Sequence, residues 1–534
     1  MRLHRGEKKV VLKAVVRRDT YQDSASLMNI SNKLRVLPGI KRTSAVMATV
    51  QNKELLADAG LLTDETRSAD SNDLVIVVEA ATDEAAQRGL AAAEELLQAK
   101  PMTMRERQLK PRTLDGALEQ GVQVNVALIS VPGQYAKREA LKALRRGLHV
   151  LLFSDNVPLE DEVELKMFAC ERNLLMMGPG CGTAIIDGIG LAFANAVRKG
   201  PIGIVGAAGT GIQEVTTLIH RNRSGISQAI GTGGRDLMQE VGGMAMLQGV
   251  ALLERDPETE VMVLISKPPH PDVEQKLLGA LRKIKKPFVV DFMGRDTLTV
   301  EDAGGLAART LEETAYTAVS LVRRRKYVPK AFTFTKEEVL EKAKLEYGRL
   351  ADRQRFVRGL FSGGSLCDDA IMILTELIGP IYSNVPLDSR FKLRDARTSK
   401  GDACVDMGGE EFTLGRPHPM IDPRQRQERI LQEAQNPSTA VVLLDVVLGY
   451  AAHPDPAGAL LPSIEDARRI SQRKRRYISF VASVVGTEED PQNFRIQVAK
   501  LENAGVLVMP SNAQAARMAA LIATRGRAKT RLKI

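Results

Sequence analysis

Two short stretches hold residues whose types and spacing could do chemistry. Residues 203–214 read GIVGAAGTGIQE: an apolar run, then Gly206, Ala208, Gly209, Thr210 and Gly211, then a helical pattern. Residues 359–369 read GLFSGGSLCDD: the same order, with Gly363, Gly364 and Ser365 at the turn. A strand that enters a helix through a turn of little bulk leaves the first helical N–H groups free, and the helix dipole makes that end an anion site. Spacing excludes two phosphate loops. A dinucleotide fingerprint needs G-x-G-x-x-G, whereas Gly206-x-x-Gly209-x-Gly211 has the reverse order. A Walker A loop needs lysine after its last glycine, and Ile212 stands there. What remains is a backbone cradle for phosphate, to which Thr210 and Ser365 add hydroxyls. A tight turn that binds nothing is the alternative for either stretch alone. Two such ends facing one phosphate neutralise its charge better than one.

Other candidates are single residues. Arg235 and Asp236 follow GTGG, as substrate-binding groups or as an exposed ion pair. His418 lies in RPHPMIDP, where Pro417 and Pro419 hold the segment extended, and it is a candidate substrate contact. Cys367 sits near a helix start, which lowers thiol pKa values. The six histidines share no metal-ligand spacing, so no metal site is expected.

These residues must be positioned by α/β elements. The 534 residues allow three or four domains, and 44% are hydrophobic. Residues 1–100 alternate short strands with helical patterns, as a small, possibly ferredoxin-like unit, and 101–120 read as a linker. Between 121 and 325, apolar strands alternate with amphipathic helices, the pattern of parallel sheets covered on both faces. The length divides into a Rossmann-like unit at 121–198 and a flavodoxin-like unit at 199–325. Residues 326–357 form a charged helical connector, and 358–534 a second flavodoxin-like unit. The expected fold is thus several doubly wound parallel-sheet domains behind a small N-terminal unit. No apolar run approaches a membrane span, the N-terminus lacks a signal-peptide core, and four dispersed cysteines fit reduced thiols, so a cytoplasmic protein is expected. The net charge of +10 comes without tryptophan and with 4% aromatics, which argues against nucleic acid and for a solvated surface or small anionic substrates.

The stretches VPGQYAKREALKALRRGLHVLLFSDNVP (131–158), LLMMGPGCGTAI (174–185) and GPIGIVGAAGTGIQEV (200–215) resemble the α-subunit of succinyl-CoA synthetase. GLFSGGSLCDD resembles the carboxyl-terminal domain of its β-subunit. Over nearly the full length the chain resembles the FdrA family of acyl-CoA-synthetase-like proteins, through YQDSASLMNIS (21–31), LLFSDNVPLEDE (151–162), IGTGGRDL (230–237), LISKPPH (264–270) and GRPHPMIDP (415–423). In the synthetases a phosphohistidine lies between two helix N-termini, which the resemblance places at Gly209-Thr210 and Gly364-Ser365. In TVEDAGGLAA (299–308), Asp302 stands in place of that histidine, and Lys267 in place of the glutamate that orients it. Neither an ATP-grasp-like stretch nor the glycine-rich CoA loop of the first βα unit is present.

The resemblance therefore implies a chain without a phosphohistidine, with Lys267 and Asp302 as catalytic candidates and phosphate or carbamoyl phosphate as a substrate. It implies no covalently bound cofactor, and it leaves CoA without its usual loop. It further implies a subunit of a carbamoyltransferase that converts an N-carbamoyl compound such as oxalurate, with phosphate, into oxamate and carbamoyl phosphate, in a complex with partner subunits. The alternatives are an acid–thiol ligase whose nucleotide site lies on a partner chain, and a degenerate metabolite-binding regulatory module.

Overall fold

The chain's near-continuous apolar segments become the strands of four sheets in a computed structural model that describes residues 10–20, 24–35, 37–98, 111, 113–119, 121, 123–294, 298–414 and 416–534. The extreme N-terminus, residues 21–23 of YQDSASLMNIS, most of the expected linker and residue 415 of GRPHPMIDP lie outside the described residues. The chain divides into two units, 1–117 and 118–534.

In the first unit, β1 (Val11–Arg17) and β2 (Ile40–Met47) both pair antiparallel with β3 (Leu74–Ala80), in the order β1-β3-β2. The central strand reads LVIVVEA because both its faces are covered. Leu27, Ile30 and Leu34 of the helix Ser24–Arg35, and Ala93 of the helix Asp83–Gln98, pack with Leu74 and Ile76.

The second unit holds three sheets. β4 (Val126–Ile129), β5 (His149–Leu152) and β6 (Met176–Met177) are parallel in chain order. A hairpin of β7 (Thr183–Ile186) and β8 (Ile189–Ala192) leads into β9 (Lys199–Ala207), β10 (Ile226–Gly231), β11 (Val261–Ser266), β12 (Phe288–Phe292) and β13 (Leu306–Ala307), in the order β13-β12-β11-β9-β10-β7-β8. The last sheet is β14 (Phe356–Phe361), β15 (Ala403–Asp406), β16 (Thr439–Val447), β17 (Ser479–Val485) and β18 (Leu507–Met509), in the order β15-β14-β16-β17-β18. The hairpin aside, both sheets are parallel and share the flavodoxin-like order 2-1-3-4-5. The doubly wound α/β expectation is borne out. Among the described residues no helix is long and apolar enough to cross a membrane.

Four helices fill the space between the two large sheets: Gly209–Arg221, Leu311–Val322, Gly364–Ile378 and Asn512–Ala523. Ile212, Val215, Leu311, Ala315, Leu366, Ala370, Ala516 and Ala520 belong to one apolar core that includes residues of both sheets. Small residues on the Asn512 helix (NAQAARMAALIA) let it approach closely. The polar groups in this seam cap one another's helices. Glu214 accepts from the Asn512 backbone N–H at 2.9 Å, Asp369 from the Leu311 N–H at 3.3 Å and the Asn512 side chain at 2.8 Å, and Glu312 from the Ser511 hydroxyl at 2.8 Å. Arg517 pairs with Glu312 at 2.9 Å. Burial pushes the Glu214 carboxyl up to about 7 and that of Asp369 up to about 6.

The two helix starts touch at glycine. A Cβ on Gly363 would lie 2.7–2.8 Å from three side-chain atoms of Thr210, and one on Gly211 3.3 Å from the Ser365 Cβ. Gly363→Ala should therefore destabilise the second unit by about 1–3 kcal/mol in chemical denaturation. Adding Thr210→Gly, which removes those atoms, should restore much of the loss. A carboxyl raised by folding stabilises the protein at low pH, and that contribution is lost as pH rises from the unfolded value through the folded one. Glu214→Gln keeps the acceptor for Asn512 and carries no charge. Its unfolding constant should improve on that of wild type by at most about tenfold per pH unit between pH about 4.5 and about 7, read from denaturation at both ends.

Candidate functional site

In sheets of this order, ligands bind beyond the carboxyl ends of the strands, where the strand order reverses. In the seven-stranded sheet that point lies between β9, which runs into the Gly209 helix, and β11, which ends before Lys267. In the five-stranded sheet it lies between β14, which runs into the Gly364 helix, and β16. Both points line one cleft of about 370 Å³, together with Asp155, Gly180 and Thr183 from the 155–183 segment. The volume suits a small molecule.

Neither helix start has a side-chain cap. Their leading N–H groups are left as orphan donors, the groups from which anion sites are built. Gly209 is not required by packing, since a Cβ there would have only the Thr183 hydroxyl within reach, at 4.0 Å. That hydroxyl is buried with no hydrogen-bond partner among the described residues. The Gln213 Oε1 is in the same condition, because its Nε2 donates to the Phe193 carbonyl at 2.6 Å, the Asn195 Oδ1 at 3.1 Å and the Leu448 carbonyl at 3.1 Å. Both residues line the cleft.

Of the residues singled out from the sequence, Ala208, Gly209, Thr210, Arg235, Lys267, Gly364, Ser365 and His418 come together here. Lys267 Nζ lies 2.8 Å from Asp368 Oδ2, with the lysine side chain 41% exposed. Burial alone would lower its pKa, but the Asp368 carboxylate, with Asp406 beyond it, holds it above the usual lysine value. Arg235 is fixed at the rim by Glu162 at 2.9 Å and the Val157 carbonyl at 2.8 Å. His418 stacks near Phe193, with ring centroids 5.5 Å apart, and burial pushes its imidazole down to about 4. Its Nδ1 accepts from the Met420 N–H at 3.2 Å, so the neutral ring carries its proton on Nε2. A phosphate-carrying histidine needs a free ring nitrogen, and this one presents an N–H.

Four candidates lie elsewhere. Gly206 is inside the sheet, where a Cβ would meet the Ile265 carbonyl oxygen at 3.0 Å. Gly363 lies under Thr210, and its N–H donates to Asp445 at 2.8 Å. Asp236 is fully buried, pairs with Lys166 at 2.8 Å and caps the helix Met244–Arg255 through the Ala245 and Met246 N–H groups, so it locks the fold rather than binding substrate. Asp302 is exposed in the turn after the helix Leu298–Glu301 and does not line the cleft. Cys367 is also corrected: burial raises its thiol well above the usual range, against the lowering expected at a helix start.

Sequence reasoning missed Asp406, at the carboxyl end of β15 and in the cleft wall. It also missed Asp155, Thr183 and Gln213. For Asp406 the signal available was position alone, the end of the strand beside β14. Among the described residues no cluster of His, Cys, Asp or Glu side chains could hold a metal ion.

Residues 360–522 match the family described as CoA-ligase, and 197–294, within the seven-stranded sheet, match the CoA binding domain family. Residues 10–111 match the family described as AllF, heavy metal-associated domain. That stretch has neither Cys nor His, so it offers no thiolate or imidazole donor to a soft metal. The chain is 42% identical over 508 residues to the uncharacterized protein YahF of Escherichia coli, covering 94% of this chain and 96% of that one. It is 26% identical over 174 residues to the α-subunit of the ADP-forming succinate–CoA ligase of Methanothermobacter thermautotrophicus, covering 32% of this chain and 58% of that one. The corresponding subunit from Aquifex aeolicus is 27% identical over 176 residues, 32% of this chain and 56% of that one.

The tautomer of His418 is directly measurable. Nitrogen-15 NMR should show Nε2 protonated and Nδ1 bare from pH 8 down to about 5, with the charged form appearing only near pH about 4. A ring protonated on Nδ1 would contradict the assignment.

Proposed function

Because the chain belongs to the family of FdrA-type acyl-CoA-synthetase-like proteins that includes YahF, we propose that its cleft binds phosphate as a reactant in acyl transfer, without a phosphohistidine. The observation that carries this reading is the convergence of two uncapped helix N-termini on one cleft, beside the unpartnered Thr183 hydroxyl. Attack of phosphate on a planar acyl carbon moves negative charge onto the carbonyl oxygen, while the rest of the phosphate charge must stay held. The helix ends serve the phosphate. In this reading the Lys267 ammonium and the His418 Nε2–H serve the carbonyl oxygen. Phosphate enters as a substrate, and no covalently bound cofactor is invoked.

The partner of phosphate in this transfer is a thiol in the acid–thiol ligase reading, with nucleotide chemistry on another chain. The matches to CoA-ligase families support that reading, and the subunit names of the matched succinate–CoA ligases support work in a hetero-oligomer. A carbamoyl compound is the second reading. The Gln213 Oε1, an acceptor without a donor at the cleft wall, favours it, since a carbamoyl group carries N–H donors.

Calorimetry with inorganic phosphate tests the shared step. Thr210→Ala should weaken binding by roughly ten- to a hundredfold, the value of one hydrogen bond to a charged group. Gly209→Val should weaken it further, since its side chain enters the space before Thr183. Lys267→Met should lower turnover more than phosphate affinity, in steady-state assays that offer acyl-CoA or a carbamoyl compound with phosphate. Equal phosphate affinity in wild type and Gly209→Val would remove the cleft from the reaction.

A further inference from the structure

Asp406 occupies a position that phosphate binding alone does not explain. Its side chain is 7% exposed, lines the cleft and lies against the first residue of the Gly364 helix, where a Cβ would sit 2.7 Å from Oδ2. Glycine at 364 is what lets the carboxyl approach the helix start. Oδ1 accepts from the Gly408 N–H at 2.9 Å, and among the described residues Oδ2 receives no hydrogen bond. The backbone of Asp406 is pinned on both sides by Asn384, whose amide also holds Glu411. The carboxyl is therefore rigid, with one oxygen occupied and the other turned toward the anion cradle.

A carboxylate there would oppose a bound dianion. Two further acids act on it, Asp368 on the Gly364 helix and Asp445 on β16, and Asp155 and Glu410 line the same cleft. Asp445 is already neutralised by Arg426 at 2.9 Å and by the Ser362 and Gly363 N–H groups. Lys267, in the loop after β11, is the cation that faces Asp406, and it is shared with Asp368. Cys367 lies behind it, and His418 presents a neutral ring across Gly408. With Arg426 paired to Asp445 and Arg235 held at the rim by Glu162, Lys267 is left to face both Asp368 and Asp406, and a proton is the means of admitting the dianion.

We propose that Asp406 is the proton-carrying residue of this cleft, holding a proton on Oδ2 while phosphate binds and passing it to the leaving atom of the acyl donor. The inference rests on the phosphate reading above. In the transfer, a phosphate oxygen forms a bond to the acyl carbon and the bond from that carbon to its sulfur or nitrogen breaks. The electron pair stays on the leaving atom, which takes the Asp406 proton, and Asp406 is left as a carboxylate facing Lys267. The reverse reaction returns the proton. The carboxyl is poised for this, because burial, reinforced by Asp368 and Asp445 and opposed by Lys267, pushes it up to about 7.

Sulfate separates this from the titration of phosphate itself, since it stays a dianion from pH 6 to 9. Calorimetry on the full chain should show sulfate affinity falling about tenfold per pH unit above pH about 7, with close to one proton taken up per sulfate at pH 8, read from buffers of different ionisation enthalpy. Asp406→Asn should bind sulfate with no such slope and no proton uptake, whereas Glu214→Gln, which removes a carboxyl also pushed up to about 7 but outside the cleft, should keep both. Sulfate binding that is flat with pH in wild type, or a slope that survives Asp406→Asn, overturns the role of Asp406 and leaves the phosphate site standing. Absence of both sulfate and phosphate binding overturns the site and this inference together.

Discussion

The contact on which the second unit depends is the meeting of two helix N-termini. Bringing two positive dipole ends together is unfavourable unless negative charge compensates them. Here the compensation is divided. Asp445 holds the N–H groups just before the Gly364 helix, while Glu214 and Asp369 serve the neighbouring Asn512 and Leu311 helices. The leading N–H groups of the Gly209 and Gly364 helices are left without side-chain partners and face the cleft. The geometry is held by fit: Thr210 rests on Gly363 and Ser365 on Gly211, so each hydroxyl-bearing residue packs on a glycine of the other half. Apolar packing of four helices supplies the stability, and the glycines set how near the two ends come.

The anion cradle was legible because its signal is local. A strand, a small-residue turn and a helix within a dozen residues declare a free helix start whatever the rest of the chain does. Repetition of the pattern at Gly209 and Gly364 gave the pairing, and the shared strand order supplies its physical cause. Single side chains were legible only where their neighbours were. Asp236 follows Arg235 directly, yet one faces the buried Lys166 and the other the rim of the cleft, a difference set by the Leu159–Glu171 helix more than 60 residues away. The resemblance sets Asp302 at a reactive position, but the turn it occupies sends it to solvent. Asp406 ends an ordinary apolar strand, ACVD, and only Lys267, Asp368 and Gly364, brought from other parts of the chain, give it a distinct environment.

In the proposed reading the reaction class shifts while the scaffold stays. Both halves of the cradle remain, but the polar groups between them are a lysine, several carboxyls and a neutral imidazole, with no ring nitrogen free to carry a phosphoryl group.

Since both helices belong to one polypeptide, joined through the stretch that contains the helix Lys336–Tyr347, the cleft forms by an intramolecular encounter. A cradle assembled from two separate chains would dissolve on dilution, its occupancy set by how much of each chain a cell makes. Tethering replaces that mass action with a fixed effective concentration, typically millimolar for a short connection. The halves of this site are therefore always present in equal number, and the quantity that expression can tune is how many complete clefts exist, never what fraction of them is assembled.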